Sequence, residues 1–240
     1  MPANRYYLST PLIAGENHLL DSDEFHHLVH VMRKKAGDLI ELVNGRGDLA
    51  TAEVNTIEPK AAHITVKTVT QAKPALPPLT LIQALLPLPQ LKLIVQKATE
   101  LGAAQIFLFP SAQSEKKTLS SVQLTRLIQT TIAALKQCGR LDLPLLSFLP
   151  TLDHLSLTTQ LLLFGDLRQK APLLHTVSAV KSCAMIIGPE KGLTQREMTL
   201  LETKHCARGV KLHPYTLRAE TAAIAALACL AHFNTDRETS

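Results

Sequence analysis

Tryptophan is absent from the 240-residue sequence, and aromatic residues make up only 4% of it. No apolar run reaches the ~18 residues that a membrane-spanning helix needs. The N-terminal "MPANRYYLST" lacks the apolar core of a signal peptide. With a hydrophobic content of 46%, these absences predict a soluble cytoplasmic protein with no membrane segment.

Cysteines are few, and the four in the chain lie far apart without a C-x-x-C pair. They favour reduced thiols over a disulfide framework or a zinc site. His26 and His30 could share a metal on a helix, but the zinc-protease pattern needs a glutamate where His27 stands. No third ligand is evident, so we predict no metal. A serine hydrolase is set aside because there is no G-x-S-x-G elbow.

The net charge of +5 comes from the second part of the chain. Residues 1–73 hold eight Lys/Arg and nine Asp/Glu, whereas residues 74–240 hold 17 and 11. A basic excess permits a polyanionic partner such as RNA, and it is equally compatible with a soluble protein of high pI and no such partner.

A proline-rich stretch, "QAKPALPPL" (residues 71–79), separates two kinds of sequence. Proline fixes φ and removes a backbone donor, so this stretch suits an extended spacer. We therefore predict two domains, at residues 1–72 and 73–240.

The first domain is predicted to be a small antiparallel sheet or barrel that follows a short helix at 23–35. Its strands show alternating apolar and polar residues, at 38–44, 48–58 and 61–70. Between two of them "GRGDLA" (residues 45–50) formally matches a dinucleotide-binding pattern, which would suggest a nucleotide-dependent oxidoreductase. That pattern needs a following helix, whereas the sequence here is β-patterned and Asn-Gly is a hairpin signal, so a turn is favoured.

After the proline-rich stretch, near-continuous apolar strands alternate with amphipathic helices. This alternation predicts an α/β domain whose mostly parallel sheet is covered by helices on both faces. The helix at 120–139 ends in Gly139, a natural C-cap.

The stretch "MIIGPEKGLTQRE" (residues 185–197) places a turn between an apolar strand and a helix. Gly188 permits a tight turn, and Thr194 with Glu197 forms a T-x-x-E capping box at the helix start. Ligands bind in open α/β sheets at such strand ends. "LHPYTLRAETAAIAAL" (residues 212–227) repeats this arrangement one strand later, with Arg218 and Glu220 at the start of an alanine-rich helix.

These segments, in order along nearly the whole chain, resemble the ribosomal RNA small-subunit methyltransferase E family, uridine-N3 methyltransferases of the SPOUT class. The resemblance rests on "HHLVHVMRKKAGD", "NGRG", "QKATELGA", "KQCGR", "GPEKGLTQRE" and "LRAETAA". It implies a PUA-like β-barrel RNA-binding domain followed by a trefoil-knotted α/β domain. The resemblance further implies that the protein forms a homodimer, binds S-adenosylmethionine, and acts on 16S ribosomal RNA or the small ribosomal subunit.

The resemblance also implies site residues. The cofactor would lie against Phe164, Gly165, Gly188, Pro189, Glu190, Gly192, Leu212 and Leu217. Catalysis would involve Arg218, stabilising negative charge on the uracil carbonyls, with Glu190 or Glu220 as general base or as orienting group. From the basic residues of the sequence itself we favour His27, Arg33 and Lys34 as ligands of RNA phosphates, with Lys97 and Arg140 as further candidates; a merely solvated basic face at residues 27–35 is an equal alternative.

The sequence departs from the family pattern at three places, and the departures at Lys191, His213 and Tyr215 keep a rival interpretation open. Lys191 stands where the family usually has glycine, His213 and Tyr215 replace a usual glycine and arginine, and residues 136–138 read Lys-Gln-Cys instead of Glu-Gln-Ser. If residue 191 requires positive φ, a lysine there is strained. The rival is a non-catalytic knotted RNA-binding or ribosome-assembly factor.

Overall fold

The computed structural model describes residues 5–73, 78–177 and 182–235, with side chains to residue 232. Much of the predicted proline-rich spacer, residues 74–77, lies outside the described residues. Contacts divide the chain into two units. One comprises Met1–Ala75 with Ile132–Leu143, and the other comprises Leu76–Thr131 with Pro144–Ser240.

The first unit is built on a five-stranded sheet of order β1-β3-β4-β5-β2. Its strands are β1 (Arg5–Tyr7), β2 (Asn17–Asp21), β3 (Leu39–Val43), β4 (Asp48–Ile57) and β5 (Ala61–Gln71). The three predicted strands are confirmed as β3, β4 and β5, which pair antiparallel in sequence order. The two edge strands, β1 and β2, were not predicted.

The "GRGDLA" segment forms the turn between β3 and β4 and the first three residues of β4, and no helix follows the turn. Gly45 and Gly47 have φ of 72° and 95°, conformations that suit glycine. The predicted hairpin is confirmed here, and the dinucleotide interpretation is excluded because it needs a helix N-terminus at this point.

The helix predicted at 23–35 is shorter and irregular. It consists of α1 (Ser22–His26) and a π-helical turn, His27–Val31. Arg33 then adopts a left-handed conformation with φ of 53°. Non-glycine residues seldom adopt it because the Cβ atom approaches the following carbonyl oxygen. The chain therefore leaves this helix by a strained turn.

The second unit contains a six-stranded sheet of order β11-β9-β10-β6-β7-β8, parallel at every described pairing. Its strands are β6 (Leu79–Ala84), β7 (Ala103–Phe109), β8 (Leu145–Phe148), β9 (Leu161–Gly165), β10 (Cys183–Ile187) and β11 (Arg208–Val210). Its helices are α2 (Leu88–Glu100), the first part of α3 (Ser121–Cys138), α4 (Gln195–Lys204) and α5 (Ala219–Thr235). The predicted parallel α/β domain is confirmed.

Two hydrophobic clusters cover the two faces of this sheet. Neighbouring residues of one strand belong to different clusters: Leu163 packs with α2 and α5 on one face, and Phe164 packs toward α4 on the other. Such alternation, with both faces buried, explains why the strands read as continuous apolar runs.

The second half of α3 belongs to the first unit. A single boundary at residue 72, as predicted, places all of α3 in the second domain. Lys136 Nζ donates to Glu24 Oε1 at 2.6 Å, and its exposed fraction is 20%. The helix ends at Cys138, and Gly139 follows with φ of 89°, as predicted for a C-cap.

No helix in the described ranges is long and apolar enough to cross a membrane. Among these residues there is also no group of three or more His, Cys, Asp or Glu side chains that could hold a metal ion. The trefoil knot implied by the family resemblance stays a prediction.

Candidate active site

A cleft lies at the carboxyl ends of three adjacent strands, β9, β10 and β11. It contains about 580 Å³ of empty space, part of it open to solvent. The residues that line it come from the turn after β9, the loop after β10 and the turn between β11 and α5. They are Gly165, Asp166, Leu167, Ile187, Gly188, Pro189, Glu190, Gly192, Lys211, Leu212, His213, Tyr215, Thr216, Leu217, Ala219 and Ala222.

The turn after β9 presents a buried carboxylate, Asp166, whose exposed fraction is 3%. Its Oδ1 accepts from the backbone N–H of Arg168 at 2.8 Å, and its Oδ2 accepts from Arg168 Nε at 2.8 Å. Arg168 also donates to Glu202 on α4. The negative charge of Asp166 is therefore balanced within the wall of the cleft.

Gly209, on the neighbouring strand β11, makes room for this carboxylate. A Cβ atom at Gly209 would lie 2.3 Å from Asp166 Oδ2 and 2.9 Å from Phe164 Cζ. Any side chain there would have to displace one of the two. The glycine is therefore required by close packing and not by its backbone angle.

The loop after β10 has glycines at both ends for different reasons. A Cβ atom at Gly188 would lie 3.1 Å from backbone atoms of Gly192 and Leu193, so space is tight there. Gly192 has φ of 78°. Lys191 does not share this conformation, since the only described non-glycine residues with positive φ are Ser22, Arg33 and Cys206. The lysine is accommodated without backbone strain.

The predicted capping box at the start of α4 is confirmed, and its glutamate also binds the loop after β7. Thr194 Oγ1 accepts from the Glu197 N–H at 3.2 Å, and Glu197 Oε2 accepts from the Thr194 N–H at 2.8 Å. Glu197 Oε1 also accepts from the backbone N–H of Ala112 at 2.8 Å. Burial raises the pKa of Glu197, but hydrogen bonds from Thr194, Ala112 and Ser111 outweigh it and hold that pKa below its usual value.

The turn between β11 and α5 carries two of the residues that depart from the family pattern, His213 and Tyr215. His213 Nδ1 accepts from the Tyr215 N–H at 3.2 Å, and the two rings lie 5.5 Å apart. Both line the cleft, and 79% of Tyr215 is exposed. The two rings therefore form an aromatic rim at the solvent-facing side of the cleft.

Of the predicted cofactor-binding residues, the structure brings seven together in the cleft: Gly165, Gly188, Pro189, Glu190, Gly192, Leu212 and Leu217. Phe164 is not among them. It is fully buried in the core, and Arg168 lies over its ring at 5.9 Å. The prediction missed that the cleft begins only at Gly165, the last residue of β9, because both faces of the strand before it are covered. Asp166 and Leu167 were missed, although their position directly after an apolar strand was a usable signal.

The predicted catalytic residues lie at the cleft and beside it. Glu190 is exposed and lines the cleft. Arg218 directly precedes α5 and is exposed, and in the described part of the chain its side chain makes no hydrogen bond or ion pair. Glu220 is partly buried, and no described group pairs with its Oε2 atom. The structure thus gives no contact by which Glu220 orients Arg218.

The predicted RNA-binding residues are distributed over both units. Lys97 is in the second unit and pairs with Glu100 at 2.9 Å. His27, Arg33, Lys34 and Arg140 are in the first unit, where Arg140 pairs with Asp142 at 2.5 Å. Arg33 is exposed on its strained turn, which leaves its guanidinium open to solvent.

His27 differs from the other members of this set because it is half-buried. Its ring lies 5.4 Å from that of the fully buried Tyr6. Burial, followed by the nearby Lys136 ammonium, lowers the pKa of His27 below its usual value. The imidazole is therefore neutral at neutral pH, and it can act as a hydrogen-bonding group and not as a cation.

Comparison with known proteins gives consistent matches over both units. The family model of an RNA methyltransferase domain matches residues 73–231, and that of an RNA methyltransferase PUA domain matches residues 20–67. The ribosomal RNA small subunit methyltransferase E of Rickettsia conorii is 30% identical over 234 residues, which is 95% of each chain. That of Bacillus subtilis is 28% identical over 89% of each chain.

Two similar solved structures contain the same small molecule. One, from Legionella pneumophila, was solved with the bound cofactor SAM (S-adenosylmethionine) and has a TM-score of 0.88 at 26% identity, covering 95% of this chain and 96% of that chain. The other is a ribosomal RNA small subunit methyltransferase E from Neisseria gonorrhoeae bound to S-adenosylmethionine. It has a TM-score of 0.83 at 25% identity, covering 95% of this chain and 96% of that chain.

Proposed function

Because the chain belongs to the ribosomal RNA small subunit methyltransferase E family, we propose that it methylates N3 of a uridine in 16S ribosomal RNA with S-adenosylmethionine. The observation that carries the proposal is the cleft formed at the ends of β9, β10 and β11. We expect the reaction to take place in the cytoplasm, where such an RNA substrate is found.

The residues of the cleft fit the proposed cofactor. Ile187, Leu212 and Leu217 offer apolar surface for an adenine ring, and Ala219 and Ala222 leave space beside it. Glu190 offers a carboxylate for hydroxyl, amino or sulfonium groups. The close packing at Gly188 gives the loop backbone little room to deviate, which favours a preformed pocket.

When bound, S-adenosylmethionine supplies an electrophilic methyl group on a sulfonium. Uracil N3 gives up its proton as it takes the methyl group, and the electron pair of the broken carbon–sulfur bond stays on sulfur. Glu190, the exposed carboxylate of the cleft, can accept this proton, whereas Asp166 is buried and held by Arg168. Arg218, unpaired among the described residues, can stabilise the negative charge that develops on the uracil carbonyls.

The first unit and a second copy of the chain complete the proposal. Arg33 and Lys34 would bind RNA phosphates, with Arg140 and Lys97 contributing from within their ion pairs and His27 as a neutral donor. Binding through phosphates weakens steeply as salt rises.

The family resemblance also implies a homodimer, for which light scattering should give twice the chain mass of 26.2 kDa.

A matched pair of arginine variants tests the catalytic assignment. Arg218→Ala should leave the Kd for S-adenosylmethionine within about twofold and lower kcat by about 10²–10³-fold, as for loss of one oxyanion-stabilising group. Arg196→Ala is the control, because Arg196 is also exposed and lies at the start of a helix, but neither of its sequence neighbours lines the cleft, whereas Arg218 lies between Leu217 and Ala219, which both do. Titration calorimetry and transfer of labelled methyl groups to small ribosomal subunits give both quantities. Unchanged kcat for Arg218→Ala would refute the assignment.

The alternative of a non-catalytic RNA-binding factor is tested by the same calorimetry. Its support was the set of departures at Lys191, His213 and Tyr215, and the backbone at Lys191 removes the strain argument for the first of them. A pure RNA binder has no need of the cofactor, so absence of S-adenosylmethionine binding by the wild-type protein would favour it.

A further inference from the structure

A second cleft opens beside the first in the same unit, and Pro189 and Glu190 line both. It contains about 350 Å³ of empty space, part of it open to solvent. Its other lining residues are Leu85, Leu86, Pro87, Gln113, Glu115 and Lys191. They follow β6, β7 and β10, so this cleft lies at the same edge of the sheet as the first.

The composition of this second cleft suits a flat heterocycle. Leu85 and Leu86 form an apolar floor beneath it that is almost fully buried, and the partly exposed Pro87 supplies apolar surface for the face of a ring. Polar groups stand around this surface: the Gln113 amide, the Glu115 carboxylate and the Lys191 ammonium. A free phosphate would make no use of the apolar residues, whereas a nucleobase uses both kinds of surface.

Uracil matches these polar groups through the edge that reacts. Its N3–H is a donor flanked by two carbonyl acceptors. Lys191 can only donate, Glu115 can only accept when ionised, and the Gln113 amide can do both. A buried position for the base is required in any case, since N3 is hidden in paired RNA and the base must leave its stack.

We propose that this second cleft receives the target uracil, with Lys191 and Gln113 as specificity-determining residues for its carbonyl and N–H edge. This inference rests on the proposed function of the first cleft. Glu190, which borders both clefts, then stands between the base and the cofactor, at the place where the proton leaves N3.

The loop that supplies Gln113 and Glu115 is held in place by two charged side chains. Glu197 accepts from the Ala112 N–H at 2.8 Å, and Lys117 Nζ donates to the carbonyls of Ser111 and Ala112 at 2.6 and 2.7 Å. Because Glu197 also caps α4 directly behind the Gly188–Gly192 loop, it fixes both walls of the second cleft. Glu197 is therefore a positioning residue.

Charge reversal at two lysines tests the proposal. The readouts are the Kd for S-adenosylmethionine and the rate of methyl transfer to small ribosomal subunits from a strain lacking this gene. Lys191→Glu should lower kcat/KM for the subunits at least tenfold and leave the Kd within twofold. Lys116→Glu makes the same charge change on the loop that bears Gln113, outside the cleft, and should change kcat/KM less than threefold.

Equal losses in the two variants would overturn the inference, since they would indicate a general effect of charge on RNA binding. Gln113→Ala, which changes no charge, should also lower kcat/KM and spare the Kd; an unchanged value would overturn the role of Gln113. If the wild-type protein binds S-adenosylmethionine but methylates no RNA, the proposed function fails and this inference with it.

A direct binding measurement distinguishes a base from a phosphate. In the protein loaded with S-adenosylhomocysteine, uridine 5′-monophosphate should shift the methyl NMR signals of Leu85 and Leu86. Ribose 5-phosphate, which lacks the base, should leave them unchanged. Equal shifts with both compounds would contradict a base-binding cleft.

Discussion

At the residue scale, the site depends on a few positions where a single atom is decisive. Asp166 occupies space that a side chain at Gly209 would need, whereas a Cβ atom at Gly165 would have its nearest non-neighbouring atom 3.7 Å away. Lys191 occupies a position whose backbone makes no special demand. These contrasts lead to two predictions about stability that do not depend on the reaction.

Gly209→Ala should lower the free energy of unfolding by about 1–3 kcal/mol, because the added methyl group overpacks the space between Asp166 and Phe164. It should also weaken S-adenosylmethionine binding, since Asp166 lines the cleft. Urea denaturation gives the stability, with Gly165→Ala as the control that adds the same methyl group in ordinary contact. A smaller loss for Gly209→Ala than for the control would contradict the packing argument.

Lys191→Gly tests the backbone at the residue that departs from the family. Since Lys191 has no positive φ, glycine relieves no strain and only adds freedom to the unfolded chain. We expect a loss of about 0.4–1 kcal/mol in the free energy of unfolding. A gain of similar size would show that the lysine is strained.

At the scale of elements, side chains at helix ends connect segments that are distant in sequence. Glu197 links the start of α4 to the loop after β7, and Lys136 links the end of α3 to α1 in the first unit. The partners of the first contact are 85 positions apart in the sequence, and those of the second are 112 apart. Local patterns predict both helix ends but neither partner.

The carboxylate of Glu197 should make stability depend on pH. Hydrogen bonds hold its folded-state pKa below the ordinary value of an unperturbed glutamate. Its contribution is therefore complete above that value and is lost as the pH falls through the folded-state pKa. Glu197→Gln should cost about 1–2 kcal/mol at pH 7 and flatten the acid limb of the stability profile. Urea denaturation between about pH 3 and 7 checks this, with Glu115→Gln as control; an identical acid limb in Glu197→Gln and wild type would contradict it.

The pair of Lys136 and Glu24 should be worth more than a surface ion pair, because only 20% and 18% of the side chains are exposed. Lys136→Met leaves the Glu24 charge half-buried and unpaired, and should cost about 2–3 kcal/mol. Adding Glu24→Gln should restore part of that loss. A double-mutant cycle by urea denaturation measures the coupling, and additive effects of the two changes would rule it out.

At the scale of the whole molecule, the sequence predicts what depends on local patterns. The parallel sheet, the hairpin at residues 45–47, the Gly139 C-cap and the capping box at Thr194 all follow from short-range periodicity or turn chemistry. The edge strands β1 and β2 were missed because they are short and lack a clear alternation. The sharing of α3 between units depends on contacts distant in sequence, which no local pattern encodes.

The site shows the same division. Its glycines and the strand ends that bear them are visible in the sequence, and so is Arg218 before α5. The exclusion of Phe164 from the cleft depends on the helices that cover both faces of β9, and the second cleft depends on three loops meeting at one edge. Both are properties of packing. The pocket residues Gln113 and Glu115 therefore carried no signal in the sequence.

The central claim is that the chain methylates uridine N3 in small-subunit ribosomal RNA. Mass spectrometry of nucleosides and fragments of 16S RNA, from cells with and without the gene, tests it most directly. We predict that one 3-methyluridine is lost without the gene, restored by the wild-type protein, and not restored by Arg218→Ala. An unchanged set of methylated uridines in cells lacking the gene would contradict the account.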